Sequence, residues 1–229
     1  LMLAQTQLQA NQKLLAGMSI EDIPSPFQQV SSKAGILAIR GSLIPGRAGW
    51  LRLFGVMGYG DVVDGLVAAA ESDVQDLIIK IDSTGGSTVD LPETARLIQR
   101  IGAVKNTYGF TSSTAASAGY WLYAATKETW LDPLAIVGSV GVMTSLRSYQ
   151  KQMQDNGVDA EVIRSDRLKA LGSPEEAISD EARAELQRIV TQAATFFKKE
   201  LSALRPTLTD TGEGAVFLGA DAVKRNFAD

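Results

Sequence analysis

Histidine and cysteine are both missing from this chain of 229 residues. Without imidazole, no hydroxyl can be activated by the histidine of the familiar triad, and without thiols there is neither a cysteine nucleophile nor a disulfide. The double absence also removes the usual ligands of a zinc site. A dominant charge is lacking too: 22 Lys and Arg stand against 26 Asp and Glu, a formal net charge of −4. That balance supplies no broad positive field for nucleic acid. Neither GxxxxGK[ST] nor GxGxxG occurs, so no phosphate loop is expected. The opening stretch from Leu1 to Leu8 is broken by Gln and has no basic flank, which reads as neither a signal peptide nor a membrane span. Its start at Leu rather than Met suggests a trimmed end.

What is present is a 45% apolar composition, ordinary for a soluble protein and enough for a substantial core. Residues 1–29 are rich in Gln and carry scattered Leu. They are expected to form an N-terminal arm, partly helical or disordered, that ends around Gly17, Pro24 and Pro26. Residues 30–229 are expected to be one domain.

Strand signals fall at Gly35–Arg40, at Val74–Ile81, near 106–110 and near 128–131. The Leu77–Ile81 run suits a strand covered on both faces. Helix signals fall at about 61–74 and at about 90–103, where Pro92 fits a first turn. A third covers about 180–203, capped by Ser179 or Asp180, with a stripe of Ala182, Leu186, Ile189, Val190, Ala193, Phe196, Phe197 and Leu201. This alternation predicts an α/β fold of βαβ units with a helical C-terminal part.

Four small-residue or basic segments carry candidate chemistry. Ser117 lies among Ala115, Ala116, Ala118 and Gly119, just ahead of the apolar run Tyr120–Ala125. At or just before a helix N-terminus its hydroxyl is placed for attack, with the Ala118 N–H placed to hold an oxyanion; a plain helix cap fits the same residues. Ser112, Ser113 and Thr114 are rival hydroxyls that fit caps or loops.

Gly85 and Gly86 follow a buried strand and precede a helix. They suit either a backbone anion cradle or a tight turn. Gly138–Met143 is another small-residue stretch, in which the Ser139 hydroxyl either contacts substrate or an amine, or sits in a simple turn.

If Ser117 is a nucleophile, its base cannot be an imidazole, and a lysine is then the leading candidate to take the proton. Lys169, in Ser165–Pro174, is the leading candidate, and Leu168 and Leu171 offer it a half-buried setting that would favour the neutral amine. A surface lysine remains the ordinary alternative. Lys80 and Lys105 are rivals, placed in a strand and in a loop. Asp82 and Asp132 each follow a strand, but show no metal-ligand spacing and fit element ends.

In order along the chain, Gly35–Pro45, Ile81–Gly86, Ala116–Leu122, Ala135–Val142, Leu168–Pro174 and the closing Val216–Ala222 with Asn226–Asp229 resemble the signal peptide peptidase A family of serine–lysine proteases. The likeness is greatest to its soluble branch of phage head-maturation proteases, and it spans about residues 33–229. Two departures stand out: Asn226-Phe-Ala-Asp229 replaces the usual Gly-Leu-Val-Asp, and Asp166-Arg167-Leu168 lacks the glycine often found before the lysine.

The resemblance implies a ClpP/crotonase-like fold that assembles into homo-oligomers and acts on polypeptides without a cofactor or metal. It implies Ser117 as nucleophile, Lys169 as general base, and Gly86 and Ala118 as backbone oxyanion donors, with Ser139, Gly85 and Gly119 in support. Phage capsid or scaffold proteins are the implied partners, in the host cytoplasm or procapsid. A bacterial peptidase of signal-peptide remnants, cytoplasmic or envelope-associated, is the alternative within the family. An acyl-CoA enzyme of the same fold, or a catalytically idle assembly protein, is the alternative outside it.

Overall fold

The computed structural model describes residues 23–229. Residues 1–22 of the expected arm, with the opening stretch read above, lie outside the described residues. Of the rest of that arm, Phe27–Gln29 is a short strand, β1, antiparallel to β2 (Ala34–Ile44).

The sheet is built on β4 (Asp76–Gly86), which runs parallel to β2 for most of its length, with Leu37 opposite Ile79 and Leu43 opposite Gly86. The first half of β4 pairs with β5 (Asn106–Thr111), which pairs in turn with β7 (Glu128–Leu131). Its second half is joined at Ser83–Ala115 to β6 (Thr114–Ala116), then to β8 (Ile136–Gly138) and the antiparallel β9 (Val216–Leu218). Short β3 (Val56–Gly58) flanks the end of β2. The sheet thus forks along β4, and the fork directs one branch toward Ser117.

Alternation decides which face is inside. Leu37, Ile39, Leu77, Ile79 and Ile81 are fully buried, whereas Ile36, Ala38, Ile78 and Lys80 on the other face are only half-buried. The expectation that Leu77–Ile81 is covered on both faces is therefore corrected: one face is packed, by α1 (Tyr59–Glu71) and α2 (Leu91–Gly102), and the other is partly open. A second correction concerns Gly85 and Gly86, which do not follow the strand in a tight turn but are its last two residues. The strand continues through Asp82 to Gly86, and α2 begins only at Leu91, with Pro92 in its first turn.

The Tyr120–Ala124 run is helical as expected, within α3 (Ala118–Ala124), and every residue of α3 is buried. A short α4 (Gln150–Asp155) follows the extended stretch after β8. The long α5 (Asp180–Leu204) is capped by Ser179, whose side chain accepts from the Ala182 N–H at 3.1 Å. Of the expected stripe on α5, only Ala182, Phe197 and Leu201 are buried, and Ile189 and Phe196 are 46% and 41% exposed. Helical period was legible, but among the described residues the N-terminal half of α5 has little that covers it.

The chain closes with α6 (Gly219–Lys224) and a C-terminal segment that locks onto α3. The Tyr120 hydroxyl donates to the Phe227 carbonyl at 3.1 Å, and Phe227 packs between the rings of Tyr120 and Phe217. None of the described helices is long and apolar enough to cross a membrane.

Candidate active site

Parallel strands β6 and β8 end on the pair Ala116–Gly138, and the next residue of each is a serine at φ 53°, Ser117 and Ser139. That conformation is sparsely populated for a residue with a Cβ. Neighbouring backbone holds both in place: the Ser117 N–H donates to the Gly138 carbonyl at 2.8 Å, and the Ser139 N–H to the Ala215 carbonyl at 2.7 Å. Ser117, with ψ −122°, is the N-cap residue of α3, and its carbonyl accepts from the Trp121 N–H at 3.1 Å. The Ala118 N–H is therefore one of the helix-start donors that has no partner within the helix.

The glycines explain how the end of β4 approaches this corner. A Cβ on Gly85 would lie 2.7 Å from the Ser117 Cβ, and one on Gly86 would lie 2.1 Å from the Leu43 carbonyl oxygen. The Leu43 carbonyl accepts from the Ser87 N–H at 2.8 Å. In a parallel ladder with Leu43 opposite Gly86, this turns the Gly86 N–H to the other side of β4, the side that carries β6. The Gly85 N–H is taken by the Ser83 hydroxyl at 3.1 Å, which itself donates to the Gly41 carbonyl at 2.6 Å. Gly85 thus supports the corner by giving room, while Gly86 presents a donor. Gly119 lets α3 rest on β4, since a Cβ there would meet the Ser83 carbonyl oxygen at 3.0 Å.

Ser117, Ser139 and Gly86 open on one cavity of about 680 Å³, also lined by Thr84, Val140, Gly141, Val142, Met143, Ala194, Lys198, Glu213 and Gly214. Lys169 does not line it. The half-buried setting expected from Leu168 and Leu171 is not observed: Lys169 sits on an exposed turn, its N–H donating to the Asp166 carbonyl at 2.9 Å, and Leu168 is 47% exposed. Among the described residues, the segment from Thr144 to Ile178 has no strand partner and only one short helix, so little of the described core reaches it.

The rival lysines, hydroxyls and carboxylates are not at the Ser117 cavity either. The Lys105 ammonium donates to the carbonyls of Ser72 and Val74 at 2.8 and 2.6 Å and ties a loop. Lys80 lines a cavity on the open face of the sheet. Ser112 and Ser113 are exposed ahead of β6, Thr114 lies within it, and Asp132 is exposed beyond β7. Asp82, expected at a strand end, is instead an exposed position inside β4.

Sequence reasoning missed Lys198 and Glu213, both of which line the Ser117 cavity. Lys198 was legible in principle, because it follows Ala194 by one helical turn at the edge of the apolar stripe. Glu213, in a loop, gave no such signal.

A family model described as "Peptidase family S49" matches residues 100–229. The chain is 31% identical over 211 residues to the head-tail preconnector protein GP5 of Enterobacteria phage P21, covering 90% of this chain and 42% of that protein. It is 26% identical over 206 residues to the capsid assembly protease C of Escherichia phage lambda, covering 88% and 47%. To a putative signal peptide peptidase SppA of Enterococcus faecium it is 26% identical over 161 residues, covering 68% and 47%. The chain thus spans less than half the length of each of these relatives.

Proposed function

The chain belongs to peptidase family S49, and on that premise we propose that it is a serine endopeptidase that cleaves extended or unfolded polypeptides with Ser117 as nucleophile. The observation that carries the reading is the Ser117 corner: a strained serine at the start of a buried helix, with Gly86 and Ala118 N–H groups beside it, facing a cavity of about 680 Å³. We further infer that residues 30–229 act as one domain of ClpP/crotonase-like fold.

In the reaction, the neutral amine of Lys169 removes the Ser117 proton and Oγ attacks the peptide carbonyl. The Gly86 and Ala118 N–H groups receive the oxyanion, each such donor typically contributing about 3 kcal/mol to the transition state. The protonated lysine then supplies a proton to the leaving amine. Water hydrolyses the acyl-enzyme. Ser139, one residue past the end of β8, is suited to orient the lysine amine. An extended substrate lies along the end of β4, with small side chains favoured where Ala115–Gly119 crowd the corner.

Lys169 must be brought to the serine and desolvated. Its exposed turn belongs to a stretch that leaves Ile163 89% and Leu168 47% exposed, a surface suited to burial by another copy of the chain. We infer that homo-oligomer assembly completes the dyad. Phage capsid or scaffold proteins are the proposed substrates. The phage relatives, with head and capsid names, align with 90% and 88% of this chain, and the Enterococcus peptidase with 68%.

The test is digestion of an unfolded model protein by wild type, Ser117→Ala, Lys169→Ala and an equimolar mixture of the two variants, read by mass spectrometry. Peptides from wild type alone among the single proteins support the dyad, and recovery of activity in the mixture supports its completion between copies. Equal cleavage by all three single proteins would overturn the assignment.

A further inference from the structure

The Ser117 cavity carries charge that the proposed reaction does not use. Val140, Val142, Met143 and Ala194 make much of its wall apolar; Lys198 is its one cation and Glu213 its one carboxylate among the described residues. The placement of Lys198 is fixed by packing. Its neighbour Phe197 is buried and lies flat on Trp121, with ring centroids 4.6 Å apart and planes 10° from parallel. Trp121 belongs to α3, the helix that Ser117 caps. The stack, together with buried Leu201 one turn on, sets the rotation of α5 against the nucleophile's own helix and turns Ala194 and Lys198 to the cavity.

The other charges of α5 are mostly committed. Asp180 pairs with Arg183, Glu181 with Arg167, Glu185 with Arg188 and Glu200 with Arg96. Among the described residues only Lys198 and Lys199 on this helix have no ion-pair partner, and of the two only Lys198 lines the cavity. Glu213 shares the cavity without forming an ion pair to it, so the ammonium faces whatever enters.

We propose that Lys198 is a specificity-determining residue, selecting polypeptides that carry an Asp or Glu side chain close to the bond Ser117 attacks. This rests on the peptidase reading above. The ammonium receives the substrate carboxylate while the apolar wall takes the neighbouring side chains. Because Lys198 remains exposed to solvent, the preference is modest, about three- to fivefold, as for a solvent-screened ion pair.

The experiment compares peptides that differ only in Ala, Glu or Lys at each position flanking a mapped cut, with wild type, Lys198→Ala, Lys198→Arg and Lys198→Glu. The expected result is a higher kcat/KM for Glu than for Ala at one position in wild type and Lys198→Arg. The ratio should fall to near one in Lys198→Ala and invert toward Lys in Lys198→Glu. An unchanged ratio in Lys198→Ala would overturn the proposal, as would an equal loss for all three peptides. In parallel, binding of the same fluorescent peptides to Ser117→Ala, with and without Lys198→Ala, reads selection without turnover. If wild type cuts nothing yet binding keeps a Lys198-dependent preference for Glu, the peptidase reading fails and the recognition site stands; peptide binding indifferent to Lys198 sinks the site.

Discussion

Gly85 and Ser117 are packed so closely that a methyl group on the glycine would sit 2.7 Å from the serine Cβ and 3.0 Å from the Ala118 nitrogen. Gly85 also has φ +102°, outside the range that side chains favour. Gly85→Ala must therefore displace the nucleophile together with one proposed oxyanion donor. Since a shift near 1 Å at a reacting group can cost about a hundredfold, a loss of about that size in kcat/KM is expected. Peptide turnover measured beside a melting curve separates this from simple unfolding.

The shared φ of 53° at Ser117 and Ser139 carries a conformational cost that glycine would not bear. Ser139→Gly should raise stability by about 1 kcal/mol, or roughly 2–4 °C in Tm for a chain of this size, while lowering turnover. Ser139→Ala keeps the Cβ and should lose turnover with no gain in Tm. Calorimetry on the two variants checks the difference.

Arg205 is 7% exposed and reaches Asp229 at 2.8 Å, and Asp229 also accepts from the Thr129 N–H and hydroxyl. Burial opposes ionisation of Asp229, but the hydrogen bonds from Arg205 and Thr129 and the nearby guanidinium charge outweigh it and hold the carboxyl below its ordinary range. A lowered folded-state value means the stabilisation is complete above the unfolded-state value, about 3.9, and is lost as pH falls through the folded one. Asp229→Asn should cost about 2 kcal/mol at neutral pH, less than a fully buried pair because Asp229 is half exposed. Its Tm should also lose the part of the acid dependence below about pH 4 that wild type shows. Melting curves from pH 2 to 7 measure both.

Lys105 offers a control on the choice of lysine. Its ammonium satisfies two carbonyls that join the end of α1 to β4, so Lys105→Ala should lower stability by about 1.5–3 kcal/mol and leave turnover intact. Urea unfolding and a peptide assay on one preparation decide this.

Long periodic segments were the legible part of this fold. The Leu77–Ile81 run marks β4 as a strand, though not its partly open face, and the capped α5 follows from its own side chains; Ser117 was placed at a helix start because small residues precede an apolar run. Strands β6 and β8 were missed because three residues of Thr, Ala, Ile, Val and Gly show no alternation; their pairing is set by the fork in β4. The expected burial of Lys169 failed for a related reason. Leu168 marks an apolar tendency, but nothing in the local sequence says whether the chain's own core or another copy covers it. Conversely, the position of Lys198 depends on the Trp121–Phe197 stack, a contact across 76 residues that no short-range pattern encodes.

The most direct test of the central claim is to quench wild type during digestion of a peptide substrate, digest it with a second protease and map covalent adducts by mass spectrometry. The account predicts an acyl adduct on the Ser117 hydroxyl that is absent from Ser117→Ala and strongly reduced in Lys169→Ala. An adduct on another residue, or one at Ser117 that forms at the wild-type rate without Lys169, would contradict it.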